Sequence, residues 1–167
     1  MQTNNKLLVI FIILAGGFID SSCNPQKKIS GNYSYETECM GIELDGSQTL
    51  KAWGLGRNRP DAVEQAKKNA IRDILFKGIN NGKTECFVKP LLFEVNCQEK
   101  HEEYFNKFFA DKGGEYKNFI SMADESIIPW VTKDRKPAGS EVTYGVIIRV
   151  LSAELKSKMI SDRILIQ

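Results

Sequence analysis

The chain has 167 residues, and 23 Lys and Arg against 21 Asp and Glu leave a formal net charge of only +2. So small a charge gives no strong electrostatic pull toward nucleic acid, and a single histidine excludes multi-histidine metal sites. The length suits one domain with a sizeable hydrophobic core.

The first residues form a leader. Lys6 precedes an apolar run from Leu7 to Ile19, followed by Asp20-Ser21-Ser22-Cys23. As a helix rising about 1.5 Å per residue the run reaches roughly 20 Å, well short of a ~30 Å hydrocarbon core. Residues 1–22 therefore read as a cleaved secretory signal peptide rather than a membrane span. Ser21-Ser22-Cys23 also resembles the end of a bacterial lipoprotein signal, although Asp20 stands where such signals carry a small apolar residue. The resemblance implies a diacylglycerol on the Cys23 thiol and a further acyl chain on its freed amine. Two or three chains anchor stably where one does not. Residues 23–36 are polar and rich in turn formers, and read as a lipid-anchored tether, with 37–167 left as the domain.

With Cys23 acylated, Cys39, Cys86 and Cys97 remain. An extended chain of about 3.3 Å per residue would hold Cys86 and Cys97 roughly 36 Å apart, far beyond disulfide reach unless it doubles back near Pro90. Cys39 paired with either one, or three unpaired buried thiols, stays equally open.

Residues 37–55 read as a hairpin around Asp45-Gly46-Ser47. Met40, Ile42 and Leu44 alternate with polar or small neighbours; a two-residue Asp-Gly turn, favoured by turn chemistry, would set them opposite Thr49 and Lys51, whereas a three-residue loop, favoured by the face pattern, would set them opposite Leu50 and Ala52. A helix follows, with Asn58 as cap, Pro60 in its first turn and Asp61 near the positive end of its dipole. Its stripe is Val63, Ala66, Ala70, Ile71, Ile74 and Leu75, Glu64 and Lys68 are spaced as an ion pair, and Gly78 stops it. Residues 86–95 read as an edge or bulged strand broken by Pro90. A second helix spans about 98–110, with His101, Tyr104, Phe105 and Phe108 in its stripe, and 116–122 continue as a short helix. Residues 124–140 are a loop. Val142, Tyr144, Val146, Ile148 and Val150, with Ile147 and Leu151 on the other face, mark a central strand. Ser152 then caps a last helix through Leu155, Met159 and Ile160. The order is β-β-α-β-α-β-α.

No catalytic constellation emerges. Gly54-Leu55-Gly56 lies between strand and helix, but Arg59 stands where a dinucleotide fingerprint needs its third glycine, and no P-loop tail follows. The glycines are expected to shape a bulge or to let the helix approach the strand. His101-Glu102-Glu103 is followed by Tyr104 and Phe105, so it is not a zinc motif, and no nucleophile elbow occurs. Adjacent carboxylates such as Glu102 and Glu103 point about 100° apart on a helix and do not converge. Trp130, beside Ile127 and Ile128 in a proline-bounded loop, is the candidate contact residue.

Ala52-Trp53-Gly54-Leu55-Gly56, followed by a helix with Ala62, Ala66 and Ala70, resembles the opening of small domains in outer-membrane-associated bacterial lipoproteins, including the N-terminal domain of flagellar assembly protein T. The whole chain also resembles Gram-negative cell-envelope lipoproteins. The resemblance implies a single small α+β sandwich, its helices packed on one face of an antiparallel or mixed sheet. It also implies a non-catalytic role in envelope assembly or binding. The expectation is therefore an outer-membrane, lipid-anchored binding module with no cofactor, no metal and no nucleic-acid partner, held to the membrane through Cys23 and meeting an envelope protein or glycan. The alternative from another class is an exported hydrolase using His101 with a carboxylate.

Overall fold

The computed structural model describes residues 35–121, 136–138 and 141–165. Residues 1–34, expected to hold the signal and most of the tether, and the expected contact residues Ile127, Ile128 and Trp130 lie outside the described residues. The fold is α+β: a five-stranded antiparallel sheet with helices packed on one face. Strands β1 (Glu38–Ile42), β2 (Gln48–Gly56), β3 (Ile120–Ser121), β4 (Lys136–Ala138) and β5 (Glu141–Val150) run in the order β1-β2-β5-β3, with β4 also on β5. β5 is central, as its apolar character on both faces predicts. It pairs with β2 along nearly its whole length and with β3 and β4 on its other edge.

Cross-strand partners share a face, so the register assigns the core directly. Leu50 lies opposite Ile148, Ala52 opposite Val146, and Gly54 opposite Tyr144. These side chains line the inner face, where α1 (Arg59–Arg72), α2 (Cys97–Lys100), α3 (Glu102–Phe108) and α4 (Ser152–Ser161) contribute Ala66, Ile71, Cys97, Phe105, Phe108, Leu155 and Met159 to one core.

Helix α1 begins as its sequence dictates. The Asn58 side chain accepts from the Asp61 N–H at 3.0 Å, and Pro60 sits in the first turn. Beyond Arg72 the chain continues as a π-helical turn, Asp73–Lys77, and stops at Gly78. The expected Glu64–Lys68 pair does not form. Glu64 pairs with Lys67 and Lys117, while Lys68 reaches across to Asp111.

The hairpin loop has three residues, but it is Leu44-Asp45-Gly46. Glu43 and Ser47 close it, Gly46 donates to the Glu43 carbonyl, and Gly46 takes φ +79°. A type I turn with glycine in the left-handed position has this shape. The shift by one residue, together with a bulge between Cys39 and Gly41, re-phases β1. Cys39 is buried, whereas Met40, Ile42 and Leu44 are exposed, contrary to the face read from their alternation.

Residues 86–95 do not form a strand. Thr84–Cys86 is a 3-10 turn packed along β1, Val88 makes a single bridge to Ile79, and the N–H groups of Leu91 and Leu92 donate to the Ile74 and Leu75 carbonyls. The segment clamps the π-helical turn after α1 rather than extending the sheet. The second predicted helix is divided at His101 into α2 and α3. Glu115–Phe119 is a 3-10 turn leading into β3, not a helix to residue 122. Ser152 opens α4 without capping it, its buried hydroxyl having no partner among the described residues.

Candidate binding surface

Gly54 and Gly56 sit beneath α1. A Cβ on Gly54 would lie 2.0 Å from the Ala62 carbonyl oxygen and 2.3 Å from the Ala66 nitrogen; one on Gly56 would lie 2.4 Å from the Ala62 nitrogen. The space that a phosphate would need is filled by the helix backbone. The glycines serve the close approach of helix to strand, and Ala62, Ala66 and Ala70 complete that contact, each with no exposed surface. Beyond the end of β1, Asn69 of α1 donates to the Trp53 carbonyl at 2.8 Å, so the helix also satisfies the strand's backbone.

Where the chain enters the domain, three consecutive residues are held. The Tyr35 ring packs on Trp53 with centroids 5.0 Å apart, Glu36 pairs with Lys77, and the buried Thr37 hydroxyl donates to Asp73 at 2.5 Å. Burial pushes the Asp73 carboxyl above its ordinary value, outweighing the hydrogen bond from Thr37 and the charge of Lys77. Trp53 lies on the sheet face opposite α1, opposite Gly145 and with Lys51 Nζ 4.9 Å from its ring centre.

The other titratable clusters are ties between elements. Tyr116 donates to Glu64, and Tyr104 donates to Asp162, which also pairs with Lys158. Burial raises both phenols, and their carboxylate acceptors raise them further, which fixes them as donors. Burial also raises the Glu64 carboxyl, but hydrogen bonds from Tyr116 and Lys117 more than offset this and hold it below its ordinary value. His101 is half-buried at the α2–α3 junction. Glu94 is ion-paired with Lys100. Among the described residues no cluster of His, Cys, Asp and Glu side chains could hold a metal ion.

Cys39 and Cys86 form a disulfide with Cα atoms 5.7 Å apart, and Cys97 is a buried free thiol. Burial raises the Cys97 thiol. The disulfide staples the 3-10 turn to β1. Immediately beside it stand Met40 and Phe87, both exposed. Ile42, Leu44, Phe93 and Val95 are exposed on the same β1 hairpin and on the connection from α1 to α2. The alternation of Met40, Ile42 and Leu44 masked them as core. For Phe87 to Val95 the sequence signal is Pro90, which interrupts the apolar run. Cys23, Ile127, Ile128 and Trp130 lie outside the described residues. No family model, curated protein or solved structure matches the chain.

Proposed function

We propose that the protein is a lipid-anchored, non-catalytic binding or assembly module of the cell envelope, fixed to the membrane through Cys23. The observation that carries this reading is the distribution of the four cysteines. A disulfide between Cys39 and Cys86, 47 residues apart, fits an oxidising compartment reached by export, in agreement with the leader-like Leu7–Ile19 run. Cys97 is buried as a small apolar side chain. Cys23 stands at the position where a lipoprotein signal places its acylated residue. The resemblance of Ala52–Gly56 and the alanine-rich helix to outer-membrane lipoprotein domains points the same way, and the exposed apolar side chains offer contact surface rather than a reaction centre.

Detergent phase partition of cell extracts tests the reading. The wild-type chain should enter the detergent phase and the Cys23→Ser chain should not be acylated or processed. Equal partition and equal processing of the two would overturn it.

A further inference from the structure

Eight large apolar side chains are exposed among the described residues, and six of them lie on two segments tied together by the Cys39–Cys86 disulfide: Met40, Ile42 and Leu44 on one, Phe87, Phe93 and Val95 on the other. The covalent and backbone links above join these segments. The Cys39–Cys86 disulfide joins β1 to the 3-10 turn, Cys39 bridges Gly82, and Leu91 and Leu92 hold the rest of the connection to the π-helical turn after α1. Leu44 at the hairpin tip is as open as in an unfolded chain, at 110 %, with Val95 at 79 % and Phe93 at 70 %. Of the neighbouring acidic groups, Asp45 is held by Ser47 and Arg149, Glu94 by Lys100, and Glu43 accepts from Thr49, while Glu85 is exposed in the 3-10 turn. The Ser47 hydrogen bonds and the Arg149 guanidinium keep Asp45 well below the usual carboxylate range.

We propose that this corner inserts its apolar side chains into the interfacial layer of the lipid bilayer. The inference rests on the anchored reading above for its nearness to a membrane. Separate side chains projecting from turns suit a fluid partner that closes around each of them, whereas a rigid protein partner needs a matched surface. Position favours the same occupant. The chain from Cys23 joins the domain at Tyr35, and β1, which carries Met40 and Ile42, starts three residues later. At about 3.3 Å per residue the segment from Cys23 to Tyr35 spans at most roughly 40 Å, so an anchor on Cys23 keeps the domain, and this corner with it, within reach of the bilayer. Lys83 and Lys89 flank Phe87 in sequence, with stems long enough to lie along apolar surface while their charges stay in water.

The test uses the full chain purified from membranes, in vesicles of brominated phosphatidylcholine, whose bromines quench tryptophan only within the acyl region. Leu44→Trp and Phe93→Trp report the corner. Arg57→Trp, at the opposite end of β2, is the control. All three positions are exposed, so the substitutions leave the core intact. The fluorescence added by each corner tryptophan should be quenched at least about twofold more than that added by Trp at position 57. Equal quenching at all three positions overturns the proposal. So does a blue shift without quenching that grows with protein concentration, which would assign the corner to a second copy of the chain. The mass of the N-terminal peptide, read on the same samples, separates the two claims. Acylated Cys23 without quenching removes the corner and keeps the anchor, and quenching without acylation does the reverse.

Discussion

Substituting Gly54 by Ala tests the packing of α1 on the sheet. Gly54 has ordinary strand backbone, so alanine brings no dihedral strain and would on its own reduce the entropy of the unfolded chain. The added Cβ, however, would lie 2.0 Å from the Ala62 oxygen and 2.3 Å from the Ala66 nitrogen, where ordinary contacts begin at 3.4 Å. Both atoms are helix backbone and cannot rotate away, so α1 must back off by more than an ångström. A gap of about 0.5–1 Å already forfeits a quarter to a half of the dispersion attraction across it. The loss falls on Ala62, Ala66 and Ala70 together, all fully buried. We expect Gly54→Ala to cost about 3 kcal/mol or more, at the upper end of overpacking substitutions, read as a lower urea midpoint with Trp53 fluorescence as probe. Gly41→Ala is the control: nothing lies within 4 Å of its Cβ position, so its midpoint should stay close to wild type. A Gly54→Ala midpoint equal to that of wild type would refute the close-approach reasoning.

Asp73→Asn should gain stability relative to wild type as pH rises. The folded carboxyl is raised above 3.8 by burial, so the native state favours its protonated form. That contribution is full below pH 3.8 and is lost as pH climbs through the folded value, and asparagine escapes the loss while still accepting from Thr37. Paired urea titrations at pH 3 and pH 7 check the sign. Replacing both Cys39 and Cys86 by Ala should cost about 2–4 kcal/mol, because the bridge closes a long loop, and a reductant should then leave the variant's unfolding midpoint unmoved. Phe108→Ala should cost about 3–5 kcal/mol, since its ring is buried among Tyr104, Phe105, Phe109 and Phe119. Circular dichroism during thermal unfolding reads that loss.

Elements that carry their own local instructions were legible. Helix α1 holds its cap, its first-turn proline and its apolar period within its own residues, and β5 announces its central place by apolar side chains on both faces. The role of Gly54 and Gly56 was legible as well, because the ligand motifs that could claim them were incomplete. What failed depended on partners distant in sequence. Alternation at Met40, Ile42 and Leu44 gives a period but not a face, and a bulge beside Cys39 turned that face outward. The run from Phe87 to Val95 has strand-like composition, yet among the described residues it makes one bridge, from Val88 to Ile79, and Leu91 and Leu92 bond to the π-helical turn after α1. Lys68 found Asp111, far along the chain, in preference to Glu64 one turn away. The choice of Cys86 over Cys97 as partner of Cys39 likewise needed the fold, since it follows from Gly82 and the 3-10 turn lying along β1.

The anchored reading is tested most directly by the mass of the N-terminal peptide from the membrane fraction, compared between wild type and Cys23→Ser. The account predicts a peptide that begins at Cys23 and carries acyl chains, absent from the variant. An unmodified N-terminus, or a peptide that runs through an unacylated Cys23, would contradict it.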